Sequence, residues 1–365
     1  MMPCRPRPVR IFLVTLGLFC LSSLRAEGPD AETVLRAFQH SYPEKISDVV
    51  FTDGDWTVRA GDKIFFWAGG RLLPAPLREK AESFSPHVFE IYPRLVPSPA
   101  IYSPRYAEYL RLQGSAEARR NREDHNRDFQ AALFGGPGRR DIESRLENGE
   151  FLGKKIVVHE DIVQALKRVE AAIRKMAADD SRPGNSEISA FIDSIGQVGA
   201  YNWRAIRGTR RMSYHSWGLA VDIQPKKLDG RAIYWLWERY RNDNWMLVPL
   251  EKRWSPPERV IEAFEHEGFV WGGKWPLYDN MHFEYRPELH EINRLLAASS
   301  SGISPFDDAR SPASGQDLHH LYPDDITGRK RKRQDPAPGV FYFGARRLFA
   351  KTASYKKADY KMEGG

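Results

Sequence analysis

Two short stretches of the sequence concentrate the side chains that bind metals and move protons. The first, 213–222, reads SYHSWGLAVD, and the second, 279–284, reads DNMHFE. Two imidazoles and one carboxylate that leave a fourth position open are the ligand set of a catalytic zinc site, whereas a structural site is closed by four protein ligands. A second carboxylate beside the open position can take a proton from water. The two stretches therefore predict a metal, a nucleophile and a base in one site.

Two short strands are expected to present these side chains. In 219–223 the alternation of a strand places the apolar residues on the core face and Asp222 on the opposite face. In 281–285 the same alternation places His282 and Glu284 together on one face. If the two polar faces meet, the imidazoles and the carboxylate converge.

Other catalytic signatures are missing from the sequence. None of its three His-Glu pairs has a second histidine three residues after the glutamate, which excludes an H-E-x-x-H zinc helix. A G-x-S-x-G turn and a phosphate-binding loop are also absent. Ser354 and Lys357 form an S-x-x-K by chance, since the partner motifs of that enzyme class do not accompany them.

The motif S-x-H-x-x-G-x-A-x-D followed by D-x-x-H-F-E resembles the zinc peptidases of bacterial cell walls. That family includes D-alanyl-D-alanine carboxypeptidases, vancomycin-resistance dipeptidases and L-alanyl-D-glutamate endopeptidases of phage lysins. The resemblance covers about residues 188–296 and includes the lead-in 268–273, GFVWGG. It implies one zinc ion held by His215, Asp222 and His282, with Asp279 as the catalytic acid and base.

The resemblance also assigns residues around the metal. Arg204 occupies the place of the family arginine that binds a substrate carboxylate or carbonyl, with Arg207 as a less favoured substitute. Ser213 matches a serine of the same pocket. Glu284 is interpreted as orienting a ligand imidazole from outside the metal shell.

The expected activity is hydrolysis of an amide in the stem peptide of peptidoglycan, most simply as a D-alanyl-D-alanine carboxypeptidase. Two alternatives stay open. The aspartate at 279, where the carboxypeptidase and dipeptidase branches usually have glutamate, is more similar to the L-alanyl-D-glutamate endopeptidases. A non-catalytic, zinc-stabilised module that binds the cell wall is the other alternative, although such a module has no physical reason to keep Asp279.

The pattern of elements predicts an α+β fold, with a small antiparallel sheet that carries the zinc and is flanked by helices. A helix is expected from Glu160, another over Gly230–Tyr240, and a third after a capping box that begins at Ser255. Short strands are expected over 48–67. The predicted organisation is a signal peptide (1–26), a β-rich and irregular segment (27–120), the zinc peptidase domain (121–298) and a disordered basic tail (299–365).

Charge and the leader indicate where the protein acts. The net charge is +7, but residues 27–298 carry 39 Lys and Arg against 40 Asp and Glu, so the body is neutral and nucleic acid is not an expected partner. The leader combines early arginines with a short apolar run, which predicts export to the periplasm or cell envelope. Its two residues Cys4 and Cys20 are the only cysteines. The basic tail is a candidate for contact with anionic envelope polymer or lipid headgroups.

Overall fold

The computed structural model describes residues 28–300, apart from 88, 90, 122–123 and 180–184. The predicted signal peptide lies outside these residues, as does the predicted tail from residue 301 onward. The described chain is a mixed helix and sheet fold with small antiparallel sheets, in agreement with the α+β expectation.

The helices are α1 (Ala31–Ser41), α2 (Pro104–Gln113), α3 (Ala116–Arg120), α4 (Asp128–Phe134), α5 (Arg139–Glu143), α6 (Glu160–Ala177), α7 (Asn185–Ser194), α8 (Trp235–Glu238), α9 (Glu258–His266) and α10 (Pro287–Ser300). The strands are β1 (Ile46–Thr52), β2 (Asp55–Ala60), β3 (Lys63–Phe66), β4 (Leu73–Pro74), β5 (Leu146–Phe151), β6 (Lys154–His159), β7 (Ile195–Gly199), β8 (Ala220–Pro225), β9 (Phe269–Trp271) and β10 (His282–Tyr285).

The N-terminal segment begins with α1, a helix that the sequence analysis did not identify. Asp30 caps it by accepting a hydrogen bond from the Thr33 amide at 2.9 Å, and Phe38 lies on its buried face. The strands expected over 48–67 are confirmed as β1, β2 and β3, which form a sheet with β4 in the order β1-β2-β3-β4. A two-residue turn at Asp53-Gly54, with positive φ at both residues, joins the first two strands.

A second sheet, with the order β7-β8-β10-β9, holds both chemistry-bearing motifs. All its neighbouring strands are antiparallel. The helix expected from Glu160 is confirmed as α6 and packs beside α9. Phe264 of α9 stacks on Phe283 of β10 with ring centroids 3.9 Å apart. One face of this sheet is thereby sealed, and the opposite face is left for polar side chains.

One apolar core runs from Val34 in α1 to Leu295 in α10. The N-terminal sheet and the sheet with the motifs both contribute to it, so the predicted segments 27–120 and 121–298 share a core. A smaller cluster gathers around Trp235, Trp245 and Tyr278. Over the described residues, no helix has the length and apolar character that crossing a bilayer requires.

Two local predictions are wrong. Of the helix expected over Gly230–Tyr240, only α8 forms, because the backbones of Ala232 and Tyr234 instead pair with Arg253 and Asp279 as isolated bridges. The capping box before α9 is also absent. The hydroxyl of Ser255 donates to the Pro256 carbonyl at 2.8 Å, and no side chain caps the helix.

Candidate metal centre and catalytic site

Strand register brings Asp222 and His282 together. These residues lie directly opposite each other in the antiparallel pair of β8 and β10, so their side chains share one face of the sheet. His282 Nδ1 lies 2.9 Å from Asp222 Oδ1. The imidazole of His282 is almost fully buried, whereas the carboxylate of Asp222 remains partly open to solvent.

His215 approaches the same carboxylate from a 3₁₀ turn, Tyr214–Trp217, that precedes β8. Ser213 caps this turn by accepting from the His215 amide. The His215 Nδ1–H donates to the Ala200 carbonyl at 2.6 Å, which fixes the ring orientation and turns Nε2 toward Asp222. His215 Nε2 lies 3.1 Å from Asp222 Oδ1 and is buried without a hydrogen bond among the described residues.

Gly218 explains the glycine of the first motif. It ends the turn with φ of +67°, and a Cβ added there lies 2.7 Å from both the His159 amide nitrogen and Leu146 Cδ2. Its carbonyl accepts a hydrogen bond from that His159 amide at 2.9 Å. The turn that carries His215 can therefore pack against β6 only if this residue has no side chain.

We expect Gly218→Ala to lower the free energy of unfolding by about 2–4 kcal/mol, because left-handed backbone strain and a backbone clash add. Urea denaturation measures the change. Gly149→Ala is the matched control, since that strand glycine has open space around its added Cβ. Equal stability of the two variants would show that the turn tolerates a side chain.

The three side chains fit a small divalent metal ion. His215, Asp222 and His282 each offer a ligand atom within 4.8 Å of the others. Neighbouring donors of a tetrahedral zinc site lie about 3.3 Å apart when each zinc bond is about 2.0 Å. The distances from Asp222 Oδ1 to the two imidazole nitrogens, 2.9 and 3.1 Å, are close to this value. Burial alone would raise the pKa of Asp222, but the close approach and charge of the His215 and His282 imidazoles hold it well below its usual range. Asp222 is therefore a carboxylate, the form that binds metals.

Asp279 stands beside this cluster with a perturbed carboxyl group. Burial raises its pKa to about 7, with a further increase from the charge of Asp222 and opposing effects from His282 and Arg204. Its Oδ1 is buried without a hydrogen bond among the described residues. A carboxyl group that titrates near neutral pH can both accept and return a proton, as a general acid and base must.

The glycines of the 268–273 lead-in allow the approach of the loop that carries Asp279. The Asp279 amide donates to the Gly272 carbonyl at 3.0 Å. A Cβ added at Gly272 lies 2.6 Å from the Asp279 carbonyl oxygen, a distance that real side chains do not reach. Asn280 then anchors the loop, with its side-chain amide donating to the Trp254 carbonyl at 2.7 Å.

Arg204 lies at the exposed edge of the site. The Ser216 hydroxyl accepts from its amide at 3.0 Å and donates to its carbonyl at 2.8 Å, which fixes the backbone. The guanidinium lowers the pKa of Asp279, so its charge acts at that carboxyl group. No ion pair involving Arg204 occurs within the described residues. Arg207 is exposed as well.

Glu284 lies behind His282, away from Asp222. Its Oε2 is 3.1 Å from His282 Nε2, and its Oε1 accepts from Arg286 at 3.2 Å. Burial would raise the pKa of Glu284, but His282 and Arg286 lower it. Trp275 also packs against His282, with ring centroids 5.5 Å apart. By contrast, Trp217 and Trp271 are core residues.

Sequence reasoning missed two residues close to the site. Tyr234 pairs with Asp279 through a backbone bridge. Burial, followed by the charge of Asp279, raises the pKa of the Tyr234 phenol to about 12. Only the pairing of two loops reveals this placement, because no motif contains Tyr234. Arg286 follows the second motif by two residues. The alternation that places His282 and Glu284 on one face of β10 also predicts this face for residue 286, so the sequence contained a signal for Arg286.

Comparison with known proteins confirms the resemblance over part of the chain. Residues 207–285 match the family described as D-alanyl-D-alanine carboxypeptidase, and residues 34–89 match a domain family of unknown function. The peptidoglycan L-alanyl-D-glutamate endopeptidase CwlK of Bacillus subtilis (strain 168) is 38% identical over 76 residues, which are 20% of this chain and 40% of CwlK. No solved structure gives a significant match. The matched segment, 207–285, is thus similar to cell-wall peptidases, and it contains both motifs.

Proposed function

We propose, from the similarity of this segment to cell-wall peptidases, that this protein is a metallopeptidase that hydrolyses an amide bond in the stem peptides of peptidoglycan. The observation that carries the proposal is the convergence of His215, Asp222 and His282 beside Asp279, whose buried carboxyl titrates near neutral pH. A metal site alone needs no such neighbour. A hydrolase needs it, because water must lose a proton and the leaving amine must gain one.

The metal ligands and Asp279 have separate roles in this reaction. A zinc ion bound by the three ligands would polarise the scissile carbonyl and lower the pKa of water toward about 7. Asp279 accepts the proton of the attacking water at its carboxylate and returns it to the departing amine. Burial raises its pKa to about 7, and this favours the return of the proton, since an ordinary aspartate with a pKa of about 3.9 is a poor acid at neutral pH.

One backbone carbonyl and two side chains support the metal ligands in this proposal. The Ala200 carbonyl fixes the His215 tautomer with Nε2 facing Asp222. Glu284 accepts from His282 Nε2–H, so that Nδ1 faces Asp222. Each imidazole then has one nitrogen bonded to a neighbour and the other turned toward Asp222, the orientation that a metal ligand needs. Ser213 contributes through the backbone of the turn, as its hydroxyl accepts from the His215 amide.

Two features favour cleavage between L-alanine and D-glutamate over removal of a terminal D-alanine. Asp279 is an aspartate, as in the endopeptidase branch, and the curated relative that matches is named an L-alanyl-D-glutamate endopeptidase. The carboxypeptidase remains the second candidate, because the matching family carries that description. We further propose that the protein acts in the cell envelope, where this substrate occurs.

Mass spectrometry of purified muropeptides, incubated with the protein and zinc, distinguishes the two activities. The endopeptidase releases the stem peptide from the L-alanine that stays linked to the sugar, whereas the carboxypeptidase releases only a terminal D-alanine. We expect the first product. The second product would transfer the assignment to the carboxypeptidase. No product from a folded protein that holds one metal would contradict the peptidase proposal and leave the wall-binding module as the better account.

We expect Arg204→Met to raise KM for the muropeptide by about 10–100-fold with a smaller effect on kcat, because losing a charge-assisted hydrogen bond costs about 1.5–3 kcal/mol. Steady-state kinetics measures both constants. Arg207→Met is the matched control, since it removes an exposed guanidinium from the same loop. If the two variants exchange these effects, Arg207 binds the substrate.

A further inference from the structure

A chain of buried polar contacts leads from His282 to the N-terminal helix. Glu284 accepts from His282 with one oxygen and from Arg286 Nη1 with the other. Arg286 Nε donates to Glu288 Oε1. The Tyr42 hydroxyl, at the end of α1, donates to the other oxygen of Glu288 at 3.1 Å. Each carboxylate in this relay therefore receives donors on both oxygens.

The relay is shielded from water. Glu288 is 1% exposed, and Glu284 and Tyr42 are each 8% exposed. Buried charges of alternating sign stabilise one another only in a fixed geometry, and removing one partner leaves an uncompensated charge at high cost. Burial and the charge of Glu288 raise the pKa of Tyr42 well above its usual value, so Tyr42 stays protonated and keeps donating.

We propose that Arg286, Glu288 and Tyr42 are positioning residues for the metal-binding face of His282. Arg286 fixes the rotation of the Glu284 carboxylate, Glu288 fixes Arg286, and Tyr42 fixes Glu288. The consequence is a single orientation of the imidazole, with Nδ1 turned to Asp222. The inference rests on the metal site of the proposed function but not on which bond is cut.

The relay also gives the N-terminal segment a role. Tyr42 lies within residues 34–89, the match to a domain family of unknown function. It reaches Glu288 because α1 packs along α10. Tyr42 and Glu288 both lie outside the peptidase match at 207–285. The N-terminal segment thus completes an arrangement that the matched peptidase segment contains only in part.

Metal affinity of the full-length protein tests the proposal. Zinc affinity is measured by competition with a chromogenic chelator, and the visible absorption of the cobalt-substituted protein reports ligand geometry. We expect Tyr42→Phe to weaken zinc binding by about 3–10-fold and Arg286→Met by about 10–100-fold, the range seen when partners behind a metal ligand are removed. Both variants should also change the cobalt spectrum.

Tyr92→Phe is the matched control. Tyr92 is a buried tyrosine of the same N-terminal segment, and its hydroxyl donates to Glu265 and accepts from the Trp271 amide, both outside the relay. We expect its zinc affinity to stay within twofold of wild type. If Arg286→Met does not fold, Glu288→Gln takes its place, because it keeps the shape and removes the charge.

Wild-type affinity and an unchanged cobalt spectrum in Tyr42→Phe would overturn the proposal, as would an equal loss in Tyr92→Phe. Neither readout depends on peptide hydrolysis. A protein that binds metal through this relay but cleaves no muropeptide would therefore support the relay while contradicting the peptidase.

Discussion

Asp279→Asn is expected to lower kcat for muropeptide hydrolysis by about 10²–10⁴-fold, the usual contribution of a general acid and base. The amide has nearly the shape of the carboxyl group but neither accepts a proton from water nor returns one to the amine. Metal binding should persist, because Asp279 is not among the three clustered ligands. The measurement is the initial rate of product formation at saturating substrate, beside the zinc affinity of the same preparation.

The stability of this variant carries separate information. Burial raises the pKa of Asp279, so ionising it in the folded state costs free energy that the neutral amide avoids. We expect Asp279→Asn to unfold at the same or a higher urea concentration than wild type above neutral pH. Asp243→Asn, an exposed aspartate outside the site, should change neither rate nor stability. Activity within tenfold of wild type in Asp279→Asn would assign the proton transfers to another group.

His215→Ala is expected to abolish the stabilisation that zinc gives the protein. A ligand at about 100 times its Kd stabilises the folded state by about 2.7 kcal/mol, which corresponds to roughly 5–10 °C in Tm for a domain of this size. Removing His215 takes away one of three ligands and the buried Nε2 that has no other hydrogen-bond partner among the described residues. Thermal unfolding with and without zinc measures the shift.

His266→Ala is the control for the loss of a histidine. This imidazole is exposed, contacts only the neighbouring Glu267 among described carboxylates, and should leave the zinc-induced shift intact. The comparison concerns the shift on adding zinc, because His215→Ala also loses the bond to Ala200 and will have a lower Tm without metal. A full shift in His215→Ala would place the metal elsewhere.

The sequence predicted the site-bearing strands well for a physical reason. The alternation around Asp222 and His282 is a local property, and an antiparallel pair needs only the correct register to bring the two faces together. The register places these two residues directly opposite each other. The titration of Asp279 could not be predicted, because burial of its carboxyl group depends on how loops far apart in sequence pack.

The wrong and missed predictions have a non-local cause. The segment 230–240 has residues that suit a helix, but part of its backbone hydrogen-bonds to residues on either side of Arg253 and Asp279, partners that no local pattern reveals. The relay behind His282 was missed likewise, since Tyr42 and Glu288 are 246 residues apart. Local propensity therefore predicted elements, while tertiary pairing overrode the helix predicted over Gly230–Tyr240.

Because α1 packs along α10, the first helix of the described chain can dock only after the last helix has formed. Contacts of such high contact order form late, because a long loop must close before they gain any free energy. During synthesis the N-terminal helix emerges early, yet its partner Glu288 is made only when nearly the whole body is complete. A chain interrupted before α10 lacks Glu288, so the imidazole of His282 gains its full support only when the last helix of the described chain has been made.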